Sequence, residues 1–244
     1  MAHTMTAEAS ATRSRSLPAR LAGVIFSPRA AYADIAARPR IFGALAVVLA
    51  VIVIATFAFL STEVGQQASL DNQVRQMESF GRTVSDDQYA QMERMAPYSR
   101  YFAAAAQVLV TPFMALIVAG LAFAVFNAAL GGDAAFKQVF AIVVHSGVLL
   151  TLQALFTLPL AYARESLSGA TNLSIFVPFL DENSFAERML GSIDLFLIWW
   201  IVSLAIGLGV LYRRRTAPIA TTLVVIYVTI GLVIAAIKTA SSGV

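Results

Sequence analysis

Few side chains in this sequence could do chemistry, and most of those are neutral. His145 is the one histidine inside an apolar run; Ser146 follows it, and Gln153 stands eight residues on, on roughly the same helical face. Gln107 and Asn127 lie in the preceding apolar run. Polar groups are costly inside a membrane and are often functional there. His145, Ser146, Gln153, Gln107 and Asn127 therefore make a candidate intramembrane polar cluster. Two readings stay open. One is a proton-responsive or ligand-contacting site within a helical bundle. The other is a neutral histidine hydrogen-bonded to Ser146, Gln107 or Asn127.

Other chemistries lack their residues. The chain has no cysteine, and its second histidine, His3, stands near the start. No His, Cys or carboxylate set therefore has metal-ligand spacing. GxxxxGK[ST], HExxH and GxSxG are absent, as are paired aspartates within an apolar run. No catalytic, cofactor-binding or metal site is expected, and the chain reads as a non-enzyme. Asp194 opens an apolar run, where the unpaired N–H groups and the dipole of a helix favour a carboxylate. A stabilising cap is its default role, with a part in transport as the alternative.

The elements that must position these residues follow from composition. Of the 244 residues 59% are hydrophobic and 13% charged, with mean hydropathy +0.76; a soluble domain has about 45–50% and about 25%. The excess is gathered into five runs, about 41–60, 101–130, 136–162, 193–212 and 217–237. Each is of the length that crosses about 30 Å of hydrocarbon. The expected fold is an all-α membrane protein: a five-transmembrane-helix bundle with N-terminal amphipathic helices and a helical extracytoplasmic loop.

Residues 1–40 read as a cytoplasmic tail, with 1–15 disordered. Two short helices follow, one capped by Ser16, the other by Ser27 with Pro28 at its first position. Arg20, Arg29, Arg38 and Arg40 on their polar sides suit a membrane surface; packing on the ends of the bundle is the other reading. The first apolar run starts at Ile41 and is too long for a cleaved leader, so it reads as a retained span. Residues 41–238 form the membrane domain. Within it, 61–98 is a helical excursion. Ser85 and Gln88 make a capping box there, and Arg75, Glu78, Arg82 and Glu93 keep it out of lipid.

Pro112 predicts a kink in the second run, and Gly120, Ala124 and Ala128 a smooth packing face. Ser203, Ala205, Gly207 and Gly209 predict close helix contact within the fold, with a homodimer face as the alternative. Arg213, Arg214 and Arg215 are the topology-determining residues, because their turn is short and abuts two spans. Segments 1–40, 131–137 and 213–216 hold ten Lys/Arg against three Asp/Glu, whereas the rest of the chain holds seven against eleven. The positive-inside rule then puts the N-terminus in the cytoplasm and the C-terminus outside.

Three stretches resemble one family. Phe26-Ser27-Pro28 with Ile35 and Arg38-Pro39 resembles the approach to the first span of bacterial Yip1-domain proteins. Gly131-Gly132 with Phe136-Lys137-Gln138-Val139-Phe140 and on to His145-Ser146 is similar to the start of the third. Ser192-Ile193-Asp194-Leu195-Phe196, Trp199 and Ala205-Ile206-Gly207-Leu208 are similar to the fourth. The likeness implies a five-span protein of the bacterial inner membrane with a cytoplasmic N-terminus. Eukaryotic relatives act in vesicle traffic and contact prenylated Rab GTPases, a role with no counterpart in a bacterial chain. Some bacterial members are linked to envelope ABC exporter systems.

Two functions are therefore weighed. The first is a non-enzymatic membrane scaffold or accessory subunit, whose partners are membrane lipids and other integral membrane proteins, ABC exporter components among the candidates. The second is a small transporter or channel using a polar path past Pro112, His145 and Gln153. No nucleic-acid partner and no cofactor are expected, and a homo-oligomer is open.

Overall fold

In hydrocarbon every backbone N–H and C=O must find its partner within the segment, so uninterrupted apolar runs fold as helices. The computed structural model describes residues 15–169, 171–177, 179–180 and 184–241, and among them it is built almost wholly of helices. The expected disorder of 1–15 lies, apart from Arg15, outside the described residues.

Two helices of ten residues come first, α1 (Leu17–Phe26) and α2 (Pro28–Ala37). The apolar α3 (Phe42–Leu60) follows, then the polar α4 (Glu63–Ser79) and α5 (Asp86–Met95). A 3₁₀ turn at Ala96–Tyr98 joins α5 to α6 (Ser99–Phe123), which widens into a π-helical segment at Ala124–Ala129. Next come α7 (Phe136–Ser146) and α8 (Val148–Arg164), parted only at Gly147. The chain closes with α9 (Phe185–Gly191), α10 (Leu195–Leu211) and α11 (Thr216–Ser241). Ser16 and Ser27 stand at N-cap positions without a side-chain cap, whereas Ser85 closes its capping box and Thr62, Ser184 and Asp194 cap with their side chains.

Among the described residues four helical stretches are long and apolar enough to cross a membrane: α3, Asp86–Ala129, the α7–α8 run and α11. The equally apolar α10 has 17 residues. At about 1.5 Å rise per residue, that is only a little short of the hydrocarbon thickness.

Contacts far apart in sequence define two ends of the bundle. Gln138 Nε2 donates to the Ala36 carbonyl at 2.9 Å, and Arg214 Nη2 to that of Leu130 at 3.0 Å. Tyr212 stacks on Phe126 at 4.7 Å. The end of α2, the 130–135 turn and the three arginines thus share one end, the arginine end. The start of α10 with Asp194 marks the other.

Of the two readings of α1 and α2, packing on the bundle is the one that their contacts show: both are built into the main core. Val24, Ala31, Tyr32 and Ile35 are buried against Val139, Ile142, Leu204 and Leu208. Tyr32 hydroxyl meets Ser203 Oγ at 2.8 Å. Gly207 makes the approach possible, since a Cβ there would sit 2.5 Å from Ile142 Cγ2 and 3.1 Å from Tyr32 Cδ1.

Arg20 is 1% exposed, with Nε 2.8 Å from Asp34 Oδ2 and Nη1 donating to the Arg38 carbonyl at 2.9 Å. It ties the two short helices together as a unit; Arg29, Arg38 and Arg40 are exposed. The expected smooth face at Gly120 is corrected. A Cβ added there would meet nothing within 4 Å, and its neighbour Ala119 is the residue buried in the core.

Breaking a buried ion pair strands a charge, whereas replacing both partners by apolar groups does not. Arg20→Met should therefore lower the stability of the detergent-solubilised protein by about 3–5 kcal/mol, with Arg20→Met/Asp34→Leu regaining most of the loss. Thermal unfolding of the three proteins side by side measures this.

Candidate functional site

The five residues of the polar cluster do not converge on one point. Each is engaged by a different neighbour, and most of these bonds hold structure in place. Asn127 works at the arginine end: its Nδ2 donates to the Ala134 carbonyl at 2.8 Å, and its Oδ1 accepts from Tyr212 hydroxyl at 2.6 Å. Gln107 Oε1 accepts from Thr111 one turn on, at 3.0 Å. Ser146 Oγ donates to the Val143 carbonyl at 2.7 Å and accepts from Trp200 Nε1 at 3.0 Å. That last bond links α7 to α10.

His145 stands in the last turn of α7, just before the break at Gly147, and is 0% exposed. Its Nδ1 lies 2.7 Å from the Ala141 carbonyl. A carbonyl only accepts, so Nδ1 carries the hydrogen. Nε2 is buried with no hydrogen-bond partner. The expected bonds from His145 to Ser146, Gln107 or Asn127 are not made. The reason is geometric: a histidine on a helix reaches the carbonyl four residues back more easily than a side chain on another helix.

The best-connected polar group is Asp194. Its Oδ1 caps α10 by accepting from Leu197 N–H at 3.0 Å. Its Oδ2 accepts from Gln153 Nε2 at 2.9 Å and from the Thr171 hydroxyl. The Asp194 N–H donates to Tyr227 hydroxyl at 2.8 Å, and that hydroxyl donates to the Ser192 carbonyl at 2.8 Å. Short β-like pairing of Asn172 with Asp194 adds bonds from Leu195 N–H to Thr171 O and from Leu173 N–H to Ile193 O, both 3.0 Å. One residue thus joins four elements: the Asp194 carboxylate ties α8 and the 171–173 segment to α10, and its backbone N–H reaches α11. The cap is visible in the sequence. Thr171 and Tyr227 are not, because neither has a spacing relation to Asp194.

Between α6 on one side and α8 and α10 on the other lies a cleft of about 420 Å³, floored by α3. Gln107 and Gln153 both line it, with Thr111, Thr157 and Trp200; every other lining residue is apolar or glycine, and none is charged. His145 does not line it, although Val143, Val144 and Gly147 do. The polar path expected past Pro112, His145 and Gln153 therefore has no His145 in it.

Among the described residues no three His, Cys, Asp or Glu side chains are grouped to hold a metal ion. Outside the spans, burial pushes the Tyr32 phenol well above its ordinary range, opposed by its bond to Ser203. It is a neutral hydrogen-bonding anchor.

Residues 22–237 match the family model of the Yip1 domain, a match that begins inside α1 and ends near the end of α11. No curated protein and no solved structure matches the chain.

Asp194→Ala removes the cap and leaves Gln153 and Thr171 without their acceptor. A lost N-cap costs about 0.5–2 kcal/mol and each stranded buried polar group about 1–3 kcal/mol. Asp194→Ala is expected to lower the melting temperature in detergent clearly more than Gln153→Leu, which frees only one partner. Equal effects would show that the carboxylate does not act as the joint.

Proposed function

The chain belongs to the Yip1 domain family, and from that premise we propose that it is a non-enzymatic membrane scaffold or accessory subunit. In this reading it is a five-span protein of a bacterial inner membrane, α10 being the fourth span and α11 the fifth, with a cytoplasmic N-terminus. The observation that carries the scaffold reading is the division of labour between the bundle and its Asp194 end. Within the bundle and at its ends, Asn127, Ser146, Gln153 and Asp194 are engaged in tying one element to another. At the Asp194 end, the segment between α8 and α10 exposes Phe176, Phe179 (82%) and Phe185, and α5 buries no residue at all. Exposed aromatic residues of this kind are enriched in the anchors of protein interfaces. The partner is another integral membrane protein, and the family resemblance points to components of envelope ABC exporter systems.

The orientation rests on charge. The structure brings the end of α2, the 130–135 turn and Arg213–Arg215 to one end, so the basic segments add up on a single side. Basic residues are retained on the cytoplasmic side.

Two experiments test the reading. In gentle detergent a discrete membrane-protein partner should copurify with the wild-type chain and be lost with Phe176→Asp/Phe179→Asp; a lone monomer under several mild conditions would rule the scaffold out. The chain has no cysteine, so single substitutions report sidedness directly. In spheroplasts an impermeant maleimide should label Glu78→Cys and leave Arg215→Cys unlabelled until the membrane is opened. The reverse pattern would invert the topology.

A further inference from the structure

The cleft between α6 and the α8–α10 pair has a graded lining. Towards the Asp194 end it carries Gln107 and Thr111 from α6 and Gln153 and Thr157 from α8. Towards the arginine end it carries Leu45, Val48, Val118, Val143 and Val144, with no polar side chain among them. Along α6 the polar pair and Val118 are separated by up to 11 residues, about 16 Å of helix. The cleft is therefore polar at one end and oily at the other, and its volume of about 420 Å³ falls within the range of about 300–1,000 Å³ usual for small-molecule sites.

Three features narrow what fits. Of the walls, α6 and α8 belong to stretches long and apolar enough to cross a membrane, and Val110 (50% exposed) and Met114 (46%) are exposed residues of the lining. Access is therefore sideways, from the hydrocarbon. No charged residue lines the space, and Gln153 at its polar end bonds the Asp194 carboxylate; an anionic headgroup would be repelled there. Finally, hydrogen-bonding capacity is left over at the polar end. Gln107 gives Oε1 to Thr111 and Gln153 gives Nε2 to Asp194, so an amide donor on one and an amide acceptor on the other remain. The Thr157 hydroxyl has the same place in the lining. In hydrocarbon such groups are costly unless a ligand answers them.

We propose that this cleft binds one chain of an uncharged membrane lipid, its hydroxyl or ester held by Gln107, Gln153 and Thr157 and its tail lying along Val118, Val143 and Val48. The site is separate from the aromatic Asp194-end surface, and it stands or falls independently of any protein partner.

Trp200 lines the cleft, and the chain has one other tryptophan, Trp199. In Trp199→Phe protein reconstituted in phosphatidylcholine nanodiscs, a nitroxide-labelled monoacylglycerol should quench Trp200 saturably. Unlabelled monoacylglycerol should reverse the quenching, and the ionised labelled fatty acid should bind more weakly. Filling the cleft with Ala154→Phe or Ala115→Phe should weaken the neutral probe about tenfold or more, the effect of overfilling a packed site. If a filled variant does not fold, Gln107→Leu/Thr157→Val preserves the volume and should still cost about fivefold, the worth of roughly one net hydrogen bond. Quenching that rises linearly with probe content, without saturation, would reduce the effect to collision with bulk lipid and overturn the proposal. Saturable quenching unchanged in the polar double variant would overturn it equally, by placing the lipid elsewhere.

Discussion

Helices inside a bilayer gain little by merely hiding apolar surface from one another, because lipid is as apolar as leucine. This chain answers that constraint with polar joints at the two ends of the bundle and close backbone approach between them. Asp194 is the main joint at one end. At the other, Asn127, Tyr212, Arg214 and Gln138 tie the loops to the helices. Between the ends, Gly207 lets α2 and α7 come close to α10, with Tyr32 and Ser203 sealing the contact. Individual interhelical hydrogen bonds in membranes average only about 0.6 kcal/mol. Their concentration at helix ends therefore matters more than any one of them.

The same constraint explains why α1 and α2 belong to the core. Each is ten residues long, too short to span a bilayer and too short to persist alone in water. Their stability comes from the buried faces they present to α7 and α10, and from the Arg20–Asp34 pair that fixes one against the other. A family match that starts at residue 22, within α1, agrees with a domain that includes this pair of helices.

Function divides along the same line. Asn127, Ser146 and Asp194 are engaged in holding helices together, and the contacts proposed with other molecules fall on the aromatic segment near Asp194 and the lateral cleft. Neither involves His145, the residue whose chemistry alone would draw attention. Its seclusion beneath the α1–α2 pair removes it from both.

The apolar runs, the helical class, and α5 with its capping box were legible from residue order alone. They depend on local periodicity, on hydrocarbon thickness and on the charges that cannot enter lipid. The Asp194 cap was legible for the same reason, since a cap is a relation between near neighbours. What only the tertiary structure decided are the relations between distant residues: Thr171 and Tyr227 on Asp194, Trp200 on Ser146, Tyr212 on Asn127, and Asp34 on Arg20. Arg20 shows the reason clearly. On a short helix with a mixed face, an arginine reads as a surface residue until a partner 14 positions away is brought beside it, and no periodicity encodes that meeting. The cleft belongs to the same class, because an empty space is a property of how helices diverge and has no residue of its own.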